Sequence, residues 1–383
     1  VEAHDNETLF DNGIFKLPTN SSMDTRVRMQ VLSNATVALG QSPAFLASGT
    51  EMLRSKSLDR DSYNSGDWFN AIDWTMNWNT FGKGLPVQDK NGEKWGIMAP
   101  LLQTGADLPN KAAMQQTNGM VLELLELRSS SPLFTLGSAD RIKEKLSFPN
   151  MGKAATPGVI VMHLDDTVGE AVDSNLDEVV VVFNATPETW SQPIEGLAGH
   201  PFELSEIQAN GVDSVVKGAK WAPVTGTATV PARTVAVFTL AEGTELLPMI
   251  GADPAKVEAG KSTTVSGANW KPGSEVTLTL TKDGSTDVVA TVKATVGEDG
   301  TLSAVLAVPA SAAAGDYTIT AVGDDEEATT AIEVTAAGSG GEDGDGEDGT
   351  KPGTKPGGSL PVTGAQVGGL IALGLAALAA GGY

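Results

Sequence analysis

Hydrophobic positions change their spacing twice along the folded part of the chain. Met23, Val27, Val31 and Ala35 recur at every fourth position, which predicts an amphipathic helix running to about Leu39. Residues 43–48 (PAFLAS) form a short apolar run with the look of a buried parallel strand. Residues 53–86 show neither a helical nor a strand period, and a loop of that length inside a domain is usually functional. From Lys111 to Leu127 the helical spacing returns through Met114, Met120, Val121, Leu124 and Leu125, and it stops at residues 129–132 (SSSP). Helix, strand, long loop and helix in that order is the rhythm of an α/β barrel, whose active-site loops follow its strands.

After residue 150 the period becomes two. Residues 158–164, 177–183, 202–204, 228–230 and 234–240 read as short strands between Gly, Pro, Asn and Asp turns, which predicts an antiparallel β-sandwich. A second alternating stretch, 247–336, carries Val276, Leu278, Leu280, Val288, Val292, Val305, Tyr317, Ile319, Ile332 and Val334, with turns at Lys271-Pro-Gly, Asp283-Gly and Asp299-Gly. Six or seven strands in such a length suit an immunoglobulin-like sandwich without the cysteine pair of antibody domains. Residues 338–359 hold almost no apolar side chain and are expected to be a flexible, acidic Gly/Pro tether. Residues 367–383 are largely Gly, Ala, Leu and Ile, an apolar anchor helix barely long enough for a bilayer.

The predicted organisation is therefore multidomain. Residues 1–150 are the end of an incomplete (β/α)8 barrel, 151–242 an antiparallel β-sandwich and 247–336 the immunoglobulin-like unit. Residues 337–359 are the linker and 360–383 a terminal signal with its apolar segment. An eight-stranded barrel needs roughly 250 residues, so the barrel is expected to begin upstream of Val1.

Charge narrows the partners. The formal net charge of −23 would repel nucleic-acid phosphates. With no Cys and three His, neither a disulfide framework nor a multi-histidine metal site is expected. The candidate chemistry lies in the long loop, where Trp68, Phe69, Trp74 and Trp78 stand among Arg54, Lys56, Asp59, Arg60, Asp61, Asp67 and Asp73. Aromatic faces beside carboxylates and arginine suit a sugar, with its apolar C–H face and polar rim. The same aromatics would also serve to cover the edge of a core.

Three stretches carry a family resemblance. VEAHDNETLFD at residues 1–11 resembles the fourth conserved region of the α-amylase superfamily of glycoside hydrolases. LRSKSLDRDSYNSGDWFN from Leu53, followed by IDWT and GKGLP, is similar to the pullulanase-type debranching enzymes of that superfamily, and so is VVVVFNATPETW from Val179. The resemblance covers roughly residues 1–242. It implies that His4 and Asp5 lie at the end of the seventh barrel strand and bind hydroxyls of the sugar whose bond is cut, contacts that strengthen toward an oxocarbenium-like transition state. It also implies that the nucleophile and the general acid/base lie on earlier strands, outside this sequence, since Asp59, Asp61, Asp67 and Asp73 match neither. The isolated chain is accordingly expected to be inactive on pullulan.

Arg54, Asp61, Tyr63, Asn64, Asp67 and Trp68 are the candidates for lining glucose subsites; an internal ion pair that shapes the loop is the competing role for the charged ones. Trp78, Phe81 and Trp95 are read as packing within the loop. His163 and His200 are read as structural, because nothing pairs with them at metal-ligand spacing. No cofactor is assigned; calcium is common in the superfamily, but no compact ligand cluster presents itself. Trp270, the only Trp of the third stretch, favours a spacer over a glycan-binding module.

Leu360-Pro-Val-Thr-Gly364 between the tether and the apolar run resembles a sortase sorting signal. That implies cleavage between Thr363 and Gly364, attachment of Thr363 to peptidoglycan, transient contact with the membrane, and a secreted protein on the wall of a Gram-positive bacterium. The usual basic tail is missing, and export calls for a signal peptide upstream. The full reading is the C-terminal portion of a wall-anchored pullulanase acting on α-1,6 bonds of pullulan, glycogen or branched starch fragments by a retaining mechanism. The alternatives are a non-catalytic glycan-binding surface adhesin and another α-amylase-type glycosidase. The sequence upstream of Val1 separates enzyme from adhesin.

Overall fold

The computed structural model describes Glu2 and residues 5–337, and it divides at Glu245/Leu246 into two compact units. In the first, helices α1 (Leu9–Lys16) and α2 (Met23–Ala38) are followed by short helices α3 (Asp67–Asn70), α4 (Gln88–Asn91) and α5 (Trp95–Leu102), then by α6 (Lys111–Ser130) and α7 (Ala139–Lys145). Local chemistry sets these ends. Thr8, Ser22 and Asn110 are N-caps whose side chains accept from the amides of Asp11, Thr25 and Ala113.

The spacing that predicted α2 and α6 holds. Val27, Val31 and Ala35 of α2 and Met120, Val121, Leu124 and Leu127 of α6 share one core. Residues 43–48 are not a strand. They are irregular chain paired with no strand, and Phe45 is 81% exposed. Apolar content predicts burial, but a strand also needs a neighbour for its backbone groups, and no described strand pairs with this run. Strand pairing within residues 5–245 is antiparallel throughout, so the expected end of a parallel barrel is not displayed among the described residues.

The β part of this unit is two sheets. One runs β1 (Leu146–Ser147), β2 (Val159–Asp165), β3 (Leu176–Asn184), then β8 (Thr234–Ala241) and β5 (Glu203–Leu204). The other runs β4 (Trp190–Pro193), β7 (Thr227–Val230), β6 (Lys220–Ala222), and a short helix α8 (Glu206–Asn210) follows β5. β3 is central and buried on both faces, which explains its uninterrupted run of valines. Val179, Val181 and Phe183 join the core of α2 and α6. On the opposite face, Val180 lies across from Phe238 of β8, whose ring is 5.5 Å from that of Trp221 in β6.

Buried ion pairs fasten the layers. Arg28 of α2 donates both terminal nitrogens to Asp213 at 3.0 and 3.1 Å, and its Nε to the carbonyl of Arg233. Lys145 of α7 pairs with Asp166 at 2.9 Å, with both side chains excluded from solvent. His163 and His200 flank Glu178, with Nε2 2.6 Å from Oε2 and 3.7 Å from Oε1 respectively. Burial pulls the His200 imidazole below its ordinary pKa, against the pull of Glu178.

Among the described residues the second unit is a sandwich of eight strands, β9 (Met249–Asp253), β10 (Lys256–Glu258), β11 (Ser262–Ala268), β12 (Glu275–Lys282), β13 (Val288–Thr295), β14 (Leu302–Ala307), β15 (Gly315–Val322) and β16 (Glu327–Thr335). One sheet is ordered β10-β16-β15-β12-β13, with β10 parallel to β16, and the other β14-β11-β9. Trp270 is 2% exposed and donates its indole N–H to the carbonyl of Met249 at 3.0 Å. A Cβ on Gly267 would stand 2.8 Å from that indole nitrogen, so only glycine leaves it room. A buried Trp270 offers no face to a sugar.

The predicted linker at 338–359, the LPVTG motif with Thr363 and Gly364, and the apolar run at 367–383 lie outside the described residues. Among the described residues no helix is long and apolar enough to cross a membrane.

Candidate functional site

Residues 53–86 fold back on themselves around one buried carboxylate. Asp11, wholly excluded from solvent on α1, accepts from Ser55 Oγ at 2.5 Å, from the Lys56 amide at 2.7 Å and from the Leu58 amide at 3.2 Å. The returning half of the loop closes on the same turn. Asn79 Nδ2 donates to the carbonyl of Leu53 at 3.0 Å, Thr80 Oγ1 donates to that of Ser55, and Ser57 Oγ donates to that of Gly84 at 2.7 Å. Leu53, Ser57 and Leu58 hold left-handed φ values of 56°, 53° and 67°. Such values are uncommon for residues other than glycine and persist where the surroundings impose them.

A second carboxylate shapes the tip. Asp73 accepts from the amides of Thr75, Asn77 and Trp78 at 3.0, 2.8 and 3.0 Å and from Thr75 Oγ1 at 2.6 Å. The Thr75 hydroxyl bond, followed by these amides, holds the exposed Asp73 carboxyl below its ordinary range. The result is a concavity lined by Met52, Arg54, Ser55, Ala71, Ile72, Asp73, Trp78, Asn79, Thr80 and Met114. Trp78 is 45% exposed in that lining and Trp74, beside Asp73 in sequence, is 62% exposed. The concavity is small, about 20 Å³, and brings the guanidinium of Arg54, the carboxylate of Asp73 and the indole of Trp78 together, group types that also meet a sugar ring.

Of the sequence candidates, Arg54 alone lines it. Its guanidinium donates to the carbonyls of Ser48 and Asn70, both at 3.2 Å, while its Nε is buried with no partner. Asp61 faces Lys90 at 3.6 Å, a half-exposed pair worth little. Tyr63 is 97% exposed, Asn64 and Asp67 are exposed, and Trp68 lies against Phe69 with ring centroids 3.6 Å apart. Asp5 is exposed, and His4 lies outside the described residues.

Phe81 is buried against Phe10, and Trp95 is half-buried with its indole N–H on the carbonyl of Pro86, so both pack as expected. Trp78 does not; it belongs to the concavity. Asp11 was missed because an acidic residue in the first turn of a helix ordinarily reads as an exposed partner of the helix dipole. The available signal was its place between Phe10 and Ile14 on the apolar face. Among the described residues no group of three or more His, Asp or Glu is placed to hold a metal ion.

Residues 76–241 match the family described as "Alpha-1,6-glucosidases, pullulanase-type, C-terminal". The chain is 42% identical over 244 residues to the chloroplastic pullulanase 1 of Arabidopsis thaliana, covering 62% of this chain and 25% of that protein. It is 42% identical over 246 residues to a pullulanase of Klebsiella pneumoniae, covering 63% and 22%. Its fold matches a crystal structure of Klebsiella pneumoniae pullulanase complexed with maltotriose, with a TM-score of 0.60, 40% identity, and coverage of 64% of this chain and 23% of that one. The chain therefore spans about a quarter of the length of the curated relatives it matches.

Proposed function

We propose that this chain is the C-terminal portion of a pullulanase-type glycoside hydrolase that cleaves α-1,6 bonds of pullulan, glycogen or branched starch fragments with retention. One observation carries the reading. The loop gathers Arg54, Asp73 and Trp78 around one concavity, in a chain that is 40% identical, over 64% of its length, to a pullulanase complexed with maltotriose. In this reading residues 1–150 complete a larger barrel, and His4 and Asp5 bind the sugar at the scissile bond. Arg54 holds glucose hydroxyls from the wall of the concavity, and Asp61, Tyr63, Asn64, Asp67 and Trp68 extend the cleft on its exposed rim. The nucleophile and acid/base come from outside this sequence. The reading needs no cofactor.

The sandwich at 247–336 acts as a spacer. The Leu360–Gly364 motif directs sortase to join Thr363 to peptidoglycan, placing the enzyme on a Gram-positive cell wall after a transient stay of the apolar segment in the membrane. The test is direct. The full-length protein is expected to release reducing sugar from pullulan and the isolated chain of 383 residues to release none. Hydrolysis by the isolated chain, or none by the full-length protein, overturns the proposal. For the anchor, Thr363→Ala is expected to shift the protein from the muramidase-released fraction to the membrane and medium; an unchanged wall fraction rejects it.

A further inference from the structure

We infer that Asp11 is a positioning residue for the glucan site, holding Arg54 in place from 43 positions away in the sequence. The inference rests on the glucan reading above. Asp11 touches no surface from which sugar could reach it, so its role is exerted through the loop.

The geometry is specific. Thr8 caps α1 through the Asp11 amide, at 3.1 Å, which fixes the backbone of Asp11 before its side chain is considered. One carboxylate oxygen takes the Ser55 hydroxyl; the other takes the amides of Lys56 and Leu58. Those amides belong to a turn whose residues Ser57 and Leu58 stand at left-handed φ, a strained conformation that non-glycine residues keep only where neighbours impose it. Nothing on the loop's own side supplies a second acceptor to either amide. Ser55 is adjacent to Arg54, and on the other side Leu53 is held by Asn79. The Arg54 backbone, whose own amide donates to the carbonyl of Gly49 at 3.0 Å, is therefore flanked by two anchors, and its side chain lines the concavity with its Nε buried and unpartnered. Without the carboxylate, the Lys56 and Leu58 amides lose their acceptor in a buried site, and the turn is free to relax toward ordinary backbone angles.

The experiment uses the full-length protein with pullulan as substrate. Asp11→Ala is expected to raise KM about tenfold while kcat stays within threefold, because the loop binds glucose units without touching the reacting atoms. Asp11→Asn is expected to return KM to within threefold of wild type, since its amide oxygen still serves both N–H groups and its nitrogen meets the Ser55 hydroxyl. Ser55→Ala removes the hydroxyl that donates to Asp11 and accepts from the Ser57 amide, leaves the Lys56 and Leu58 amides on the carboxylate, and is expected to raise KM about threefold, which keeps the test decisive if Asp11→Ala does not fold. An unchanged KM in folded Asp11→Ala or in Ser55→Ala, or a failure of asparagine to rescue, overturns the inference while leaving the glucan reading intact. A wild-type protein that does not hydrolyse pullulan removes both.

Discussion

Asp11 sets two opposing tendencies against each other. Burial pushes its carboxyl up from 3.8 to about 6, and the hydrogen bonds from Ser55, Lys56, Leu58 and Thr8 pull it down without prevailing. The sign follows from linkage. The folded state holds this proton more tightly than the unfolded one, so Asp11 favours folding in its protonated form, and that benefit is lost as pH rises from about 4 to about 6. The swing is about 3 kcal/mol at 1.36 kcal/mol per pKa unit. Urea unfolding of wild type and Asp11→Asn from pH 4 to 7 is expected to show a difference in stability that falls against the wild type across that interval and is flat above it. A constant difference would mean that Asp11 titrates normally. At this scale the sequence conveyed residue types better than their partners. Arg54 stood out among the subsite candidates, and Asp73 and Trp78 stood in the same polar and aromatic loop, but which of them meet depends on hydrogen bonds to backbone amides, which leave no periodicity. Trp78 was read as packing because aromatics in a compact loop usually are, and only the Asp73 turn shows why it faces outward.

The elements with one repeated spacing were the legible ones. α2, β2, β3 and β8 fall within two residues of their sequence expectations and α6 runs three residues further, because each has an apolar stripe or alternation that the core must cover. The short elements were not legible. β4, β6 and helices α3, α4 and α5 have too few residues for a period to develop, and residues 43–48 show that an apolar run alone does not make a strand. What joins the elements is charge buried in pairs. Removing one partner leaves the other uncompensated, so Asp213→Ala, which orphans Arg28 between α2 and the sheet, is expected to cost about 3–5 kcal/mol. Lys90→Ala, at the half-exposed pair with Asp61, is expected to cost less than about 1 kcal/mol. Denaturant midpoints of the two variants measure the contrast, and similar losses would argue that Arg28 and Asp213 are hydrated in solution.

Each of the two units has its own hydrophobic core, one gathered around α2, α6 and β3, the other around Trp270 and Tyr317. Separate cores predict separate transitions. Trp270→Ala is expected to destabilise the second unit by about 3–5 kcal/mol and to leave the calorimetric transition of the first where it was. A single transition that moves as a whole would show the two to be one cooperative block. The second unit also has a property that no ligand or titration reveals. Its β10 and β16 lie parallel, close to the opposite ends of the chain segment. Tension applied between those ends runs along both strands in opposite directions, so the bonds joining Lys256–Glu258 to Glu333–Thr335 bear the load together rather than peeling one by one. Single-molecule pulling is expected to register this unit as one rupture peak; a staircase of small steps would show that the strands peel one after another.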